Sequence, residues 1–164
     1  MVSRRAILSC ALPAVSALAG CTSQGVGGPK LVRSLGFRRT EEFLAQQSSL
    51  DAQRPTVASV LVTKQNAESA VANWEMLLDS TAQPYKETEY GSKFLVVHVG
   101  VVDRGQQISV DRPTVENGNL SYDVSVVAGS EDPPNTDGPI FSYRIEQWRA
   151  GPLFAPKSVS TTLS

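Results

Sequence analysis

His98 is the only histidine in this 164-residue chain, so any serine–histidine dyad must pass through it and no pair of histidines can share a metal within one copy. It sits inside KFLVVHVGVV, on the same face of an expected strand as Phe94, Val96 and Gly100. That setting predicts a buried neutral imidazole with one hydrogen bond. A hydrolytic or metal-dependent enzyme is the alternative, and its site would have to assemble near His98 without a recognisable motif. No serine occupies a Gly-x-Ser-x-Gly elbow, and no glycine-rich loop precedes a helix to cradle phosphate. Glu87 with Glu89, and Asp111 with Glu116, are candidate acid–base pairs, but carboxylates alternating along strands read as solvent-facing charges. The loop Glu131-Asp132-Pro133-Pro134-Asn135-Thr136-Asp137-Gly138 fails as a calcium loop. Aligning Gly138 with the invariant glycine puts Pro133 at the first ligand position and Arg144 where a bidentate glutamate is required. No catalytic set, metal site or cofactor site is assigned. Asn119-Leu120-Ser121 makes Asn119 a candidate N-glycosylation site at an expected hairpin tip.

These residues need elements to hold them. β-Branched residues over 56–63 predict a strand. Asn66 then suits the N-cap of a helix reaching Asp79, with Ala67, Ala70, Val71, Trp74, Leu77 and Leu78 on its buried face and Pro84 in the loop beyond. The nearly continuous apolar run 93–102 predicts a strand covered on both faces. Asp103, Arg104 and Gly105 form an expected hairpin connection. Beyond it, Ile108 and Val110 face inward in one strand, and Leu120, Tyr122, Val124 and Val126 in the next, after an Asn117-Gly118 turn. A polar loop over 128–139 leads to Phe141, Tyr143 and Ile145, inward-facing against Ser142, Arg144 and Glu146, and a short strand closes the chain over 158–163. The expected fold class is α+β: a mainly antiparallel sheet, read as a meander, with one packed amphipathic helix.

The N-terminus carries a different kind of signal. Met1-Val2-Ser3-Arg4-Arg5 is followed by an apolar run from Ala6 to Ala19, too short for the roughly 20 residues that span a bilayer. Ser3-Arg4-Arg5-Ala6-Ile7-Leu8 resembles the twin-arginine export motif, with Arg4 and Arg5 as its pair. Leu18, Ala19, Gly20 and Cys21 resemble the lipobox of prolipoproteins, which implies cleavage before Cys21 and lipidation of its thiol. Residues 1–20 are thus the expected signal peptide, 21–29 a lipidated flexible tether containing Gly25, Gly27 and Gly28, and 55–164 a single α+β domain. Residues 30–54 stay unassigned, between ordinary structure packed on the domain and a basic segment near anionic head groups. With Cys10 in the leader and Cys21 lipidated, no disulfide is expected. The expected location is the extracytoplasmic face of the cell membrane, held through lipid on Cys21.

Composition agrees with a globular domain, at 41% hydrophobic and 19% charged residues. Loss of residues 1–20 removes Arg4 and Arg5 and leaves a net charge of −3. No basic excess remains to attract a nucleic acid. The order of the arginine pair, apolar run and lipobox before a small β-rich domain resembles the lipoproteins of halophilic archaea. Phe94-Leu95-Val96-Val97-His98-Val99-Gly100, then Gln107-Ile108-Ser109-Val110 and Leu120-Ser121-Tyr122-Asp123-Val124, is similar to the C-terminal domain of PrcB-like protease-complex subunits over about residues 57–162. That resemblance implies a domain without catalytic residues of its own, and the expected function is a non-enzymatic binding or accessory module with a protein partner at the cell surface.

Overall fold

The computed structural model describes residues 27–45, 47, 56–129, 132–133 and 138–164. Among the described residues, eight strands form two sheets. In the first, β1 (Lys30–Arg39), β7 (Ile140–Arg149), β3 (Lys93–Val102) and β2 (Thr56–Val62) lie side by side in that order, all antiparallel. In the second, β6 (Asn119–Ala128) is central. β4 (Gln106–Val110) and β5 (Thr114–Glu116) pair with it antiparallel, one after the other. β8 (Ser158–Leu163) pairs parallel with β6 over Asn119 to Val124, residues that β5 and the end of β4 also reach, so β8 takes the opposite edge. The fold is α+β and mainly antiparallel, as expected.

Parity along the central strands explains the long apolar run of β3. Leu95, Val97, Val99 and Val101, with Phe141, Tyr143 and Ile145 of β7, face a layer of short helical turns. Phe94, Val96 and Val102, with Ile140 and Trp148 of β7, face Leu120, Tyr122 and Val124 of β6. Each central strand therefore buries both faces, and the molecule has three layers: helical turns, first sheet, second sheet.

Three local expectations change. The turn over 103–105 does not fold β4 back on β3; it carries the chain across to the second sheet, where β4 pairs with β6. The helix expected from Asn66 to Asp79 is broken. Asn66 closes a turn instead, its side chain accepting from the Thr63 amide and donating to the Leu61 carbonyl. α1 (Ala67–Ala70) is a single turn, ended where Val71 bridges to Leu44. After a 3-10 turn (Trp74–Met76), the packed helix is α2 (Asp79–Lys86), and it contains Pro84. Apolar burial survives this rearrangement: Val71 and Leu77 are buried, Trp74 packs edge-on against Phe43 at 5.2 Å, and of the expected face only Leu78 is exposed. Finally, β1 places 30–39 inside the first sheet, so this part of the unassigned segment belongs to the domain.

Candidate functional site

The densest polar chemistry among the described residues lies between the two sheets. Ser59, His98 and Arg144 are cross-strand neighbours on β2, β3 and β7, and Glu146 follows two residues after Arg144 on the same face. His98 is 1% exposed and Glu146 3%. The Thr161 hydroxyl donates to Ser59 Oγ, and Ser59 Oγ lies 2.6 Å from His98 Nδ1. This hydrogen bond joins Ser59 Oγ to Nδ1 in either ring tautomer, because a serine oxygen can accept twice as well as donate, and the far ring nitrogen is Nε2. That Nε2 stands 3.9 Å from Glu146 Oε2, beyond hydrogen-bonding distance, and has no other partner.

Glu146 is better served. Its Oε2 accepts from the Tyr122 hydroxyl at 3.1 Å and from Trp148 Nε1 at 3.0 Å; its Oε1 accepts from Arg144 Nε at 3.1 Å. Arg144 also donates to Ser34 Oγ at 3.2 Å. Burial pushes His98 below its ordinary 6.5, against the pull of Glu146 and reinforced by Arg144. Burial acts on Glu146 in the opposite sense, but His98, Arg144 and Trp148 together hold its carboxyl below the ordinary value. At neutral pH the pair is a neutral imidazole beside an ionised, fully partnered carboxylate. Burial, with Glu146 beside it, raises the Tyr122 hydroxyl far above its ordinary value, so it serves only as a donor. The His98 ring meets Tyr122 edge-on at 4.4 Å.

Three of the clefts formed by the described residues carry charged side chains. One of 330 Å³ has Arg144 and Glu146 among its lining residues, with Lys30 and Arg112 beside them. A second, of 450 Å³, contains Arg38 bonded to Asp132. Asp132 also accepts from the Gly105 amide at 2.9 Å; that bond, then Arg38, holds its carboxyl below the ordinary value. The third, of 530 Å³, is bordered by Lys64, Lys93 and Lys157.

As its apolar surroundings lead one to expect, His98 is buried and neutral with a single hydrogen bond. Asn119 is exposed at the start of β6, immediately after a turn in which Asn117 and Gly118 have φ of 51° and 88°, and its Oδ1 accepts from Ser158 Oγ at 2.8 Å. Asp111 lines the 330 Å³ cleft, and Glu116 lies on β5. Arg4, Arg5, Leu18, Ala19, Gly20 and Cys21 lie outside the described residues, as do Glu131 and 134–137. Glu146, read from alternation as solvent-facing, is instead the buried centre of the network, while Arg144 stays partly exposed and reaches it from the surface. Ile140 and Trp148 share their parity at either end of β7, and that signal marks the second face as buried too. No helix among the described residues is long and apolar enough to cross a membrane. No family model, curated protein or solved structure matches the chain.

Proposed function

We propose that this chain is an exported lipoprotein, held on the extracytoplasmic face of the cell membrane through Cys21, where its domain works as a non-enzymatic binding or accessory module. The ordered series of Arg4-Arg5, apolar run and Leu18-Ala19-Gly20-Cys21 supports the anchor. Two acyl chains hold a protein stably on a bilayer where one does so only marginally. The resemblance of 57–162 to PrcB-like C-terminal domains favours an accessory role over catalysis.

The observation that carries the binding reading is the outer edge of β1. This ten-residue strand is terminal in its sheet and exposed along most of its first half, with Leu31 45% and Val32 38% accessible. A strand edge offers unpaired backbone groups to an added strand. A bulge between Leu31 and Arg33 interrupts the pairing near one end, leaving Arg33 to Arg39 as the regular stretch.

The enzyme reading has one observation in its favour, the 2.6 Å contact between Ser59 and His98. Against it, His98 is enclosed, and the carboxylate that would orient the ring is 3.9 Å away and already accepts from three other donors.

Two measurements test the proposal. Intact mass of the membrane-extracted protein should show a chain beginning at a lipid-modified Cys21; an uncleaved leader or a free thiol refutes the anchor. Affinity purification from the native membrane should recover one reproducible partner, which Gly36→Lys loses. A Cβ at Gly36 meets nothing closer than the Tyr143 carbonyl at 3.8 Å, so the strand accepts a side chain there. Because the new cation faces Arg144 across the pair, Gly36→Ser serves as the uncharged control and should keep the partner. Recovery unchanged by Gly36→Lys, or turnover of a substrate that Ser59→Ala abolishes, refutes the edge-binding role.

A further inference from the structure

One end of the domain gathers positive charge on a molecule that is otherwise slightly acidic. Lys30, Arg149 and Lys93 fall in a single register row across β1, β7 and β3. β2 runs antiparallel to β3, so Lys64, just beyond its last residue, lies at the same end. Lys157 joins Lys64 and Lys93 around the 530 Å³ cleft. Lys93 pairs with Glu89 at 3.4 Å, and no described carboxylate bridges the other four cations.

The same end presents an apolar tip. Leu153, in the connection from β7 to β8, is 92% exposed, the highest value among the exposed large hydrophobics. Its loop is braced from behind: Phe154 packs on Phe94 at 5.8 Å, and its amide donates to the Gly151 carbonyl at 3.0 Å. Leu153 is therefore displayed by a supported turn.

The chain also begins its described course here. Gly151 packs so closely on the Gly27 backbone that a Cβ would collide with the Gly27 carbonyl, and a Cβ on Gly27 would touch Pro152 at 3.8 Å. Cys21 precedes Gly27 by six residues, a span of about 20 Å at most when fully extended. A lipid on Cys21 thus holds Gly27, and the Gly151-Pro152 turn packed on it, within about 20 Å of the anchor, near enough for this end to meet the bilayer.

We propose that this end is the membrane-docking face of the anchored domain, with Leu153 entering the head-group layer and Lys64, Lys93, Lys157, Lys30 and Arg149 meeting anionic lipid phosphates. The inference rests on the anchoring of Cys21. Membrane-facing basic side chains gain from an anionic surface, an attraction that fades within a Debye length of about 8 Å, so a short tether is what makes it effective.

The test uses the processed full chain in vesicles of phosphatidylcholine, with or without phosphatidylglycerol. A bimane label is placed at Leu153→Cys or, as a control, at Leu78→Cys. Leu78 lies towards the opposite end, two residues from Met76, whose carbonyl accepts from Arg39 at the far end of β1. With anionic lipid, head-group nitroxides should quench the label at 153 several-fold more than at 78. Lys64→Gln with Lys157→Gln should cut the docked-to-undocked ratio about 25-fold, at roughly fivefold per charge. Protein that floats with the vesicles but shows equal quenching at the two positions overturns docking and leaves the anchor standing. Quenching at 153 that ignores both phosphatidylglycerol and the lysine changes overturns the anionic-lipid assignment. Protein that floats with neither vesicle overturns the anchor and the docking together.

Discussion

Burial decides the charge state of His98, and that choice has a pH signature. Unfolded, the imidazole titrates near its ordinary 6.5, whereas the folded protein holds it lower. As pH falls through 6.5 the unfolded chain takes up a proton that the folded chain resists, so stability declines with acidification. Glu146 acts in the same direction at lower pH. Its folded value lies below the ordinary 4.5, so its contribution is present above 4.5 and is lost as pH falls through the depressed value. Urea midpoints measured from pH 8 to pH 4 should therefore begin to fall near 6.5 and steepen below 4.5. His98→Asn should flatten the upper limb and leave the lower one; an unchanged upper limb would show that another group drives it. His98's burial is legible from its apolar neighbours alone. Glu146 is not, because alternation along one strand says which residues share a face and nothing about whether a second sheet covers the other.

Elements were legible where hydrophobic pattern and turn chemistry agreed. β3, β4, β6, β7 and β8 follow runs or alternations bounded by Gly105, the Asn117-Gly118 turn and the proline-containing loop. The broken helix shows the opposite case. Its apolar spacing marks burial correctly for Val71 and Leu77, but Asn66 spends its side chain on the turn after β2, and Val71 leaves the helix to bridge Leu44. Spacing reports which residues are buried more faithfully than which backbone carries them. The corner from β3 to β4 was also hidden, although a glycine marks it. A Cβ at Gly100 would collide with Ile108 Cγ2, where β4 crosses close over β3 and the Ile108 amide donates to Ser142 Oγ at 3.0 Å. Gly100→Ala should cost about 1–3 kcal/mol in chemical denaturation through overpacking. Adding Ile108→Leu, which moves the branch off Cβ and so removes the Cγ2 methyl on the other side of this contact, should recover part of that loss. Additive costs for the pair would mean that the crossing tolerates the extra carbon.

At the scale of the whole molecule, the two sheets enclose the polar network only because the last strand shuts one side. β8 pairs with β6, its Val159 packs on the inter-sheet cluster, Thr161 donates to Ser59, and the Ser164 amide reaches the Val124 carbonyl at 2.9 Å. The parallel pairing of β8 was not visible in the sequence, since a short polar strand at a chain end carries no mark of its partner. Its removal should nevertheless have a local consequence. Deleting residues 158–164 bares one edge of β6 and opens the Ser59 side of His98, so amide exchange over 119–124 should accelerate while the amides of β7 stay protected. The imidazole should then titrate closer to 6.5 by NMR, because the burial that lowers it has been relieved. Thr161→Val separates the two effects: it removes the hydroxyl that donates to Ser59 but keeps the strand, so exchange in β6 should hardly change. If the truncated chain keeps slow exchange over 119–124 and a depressed His98, the seam is closed by the first sheet and β6 alone, and β8 is no more than an added edge.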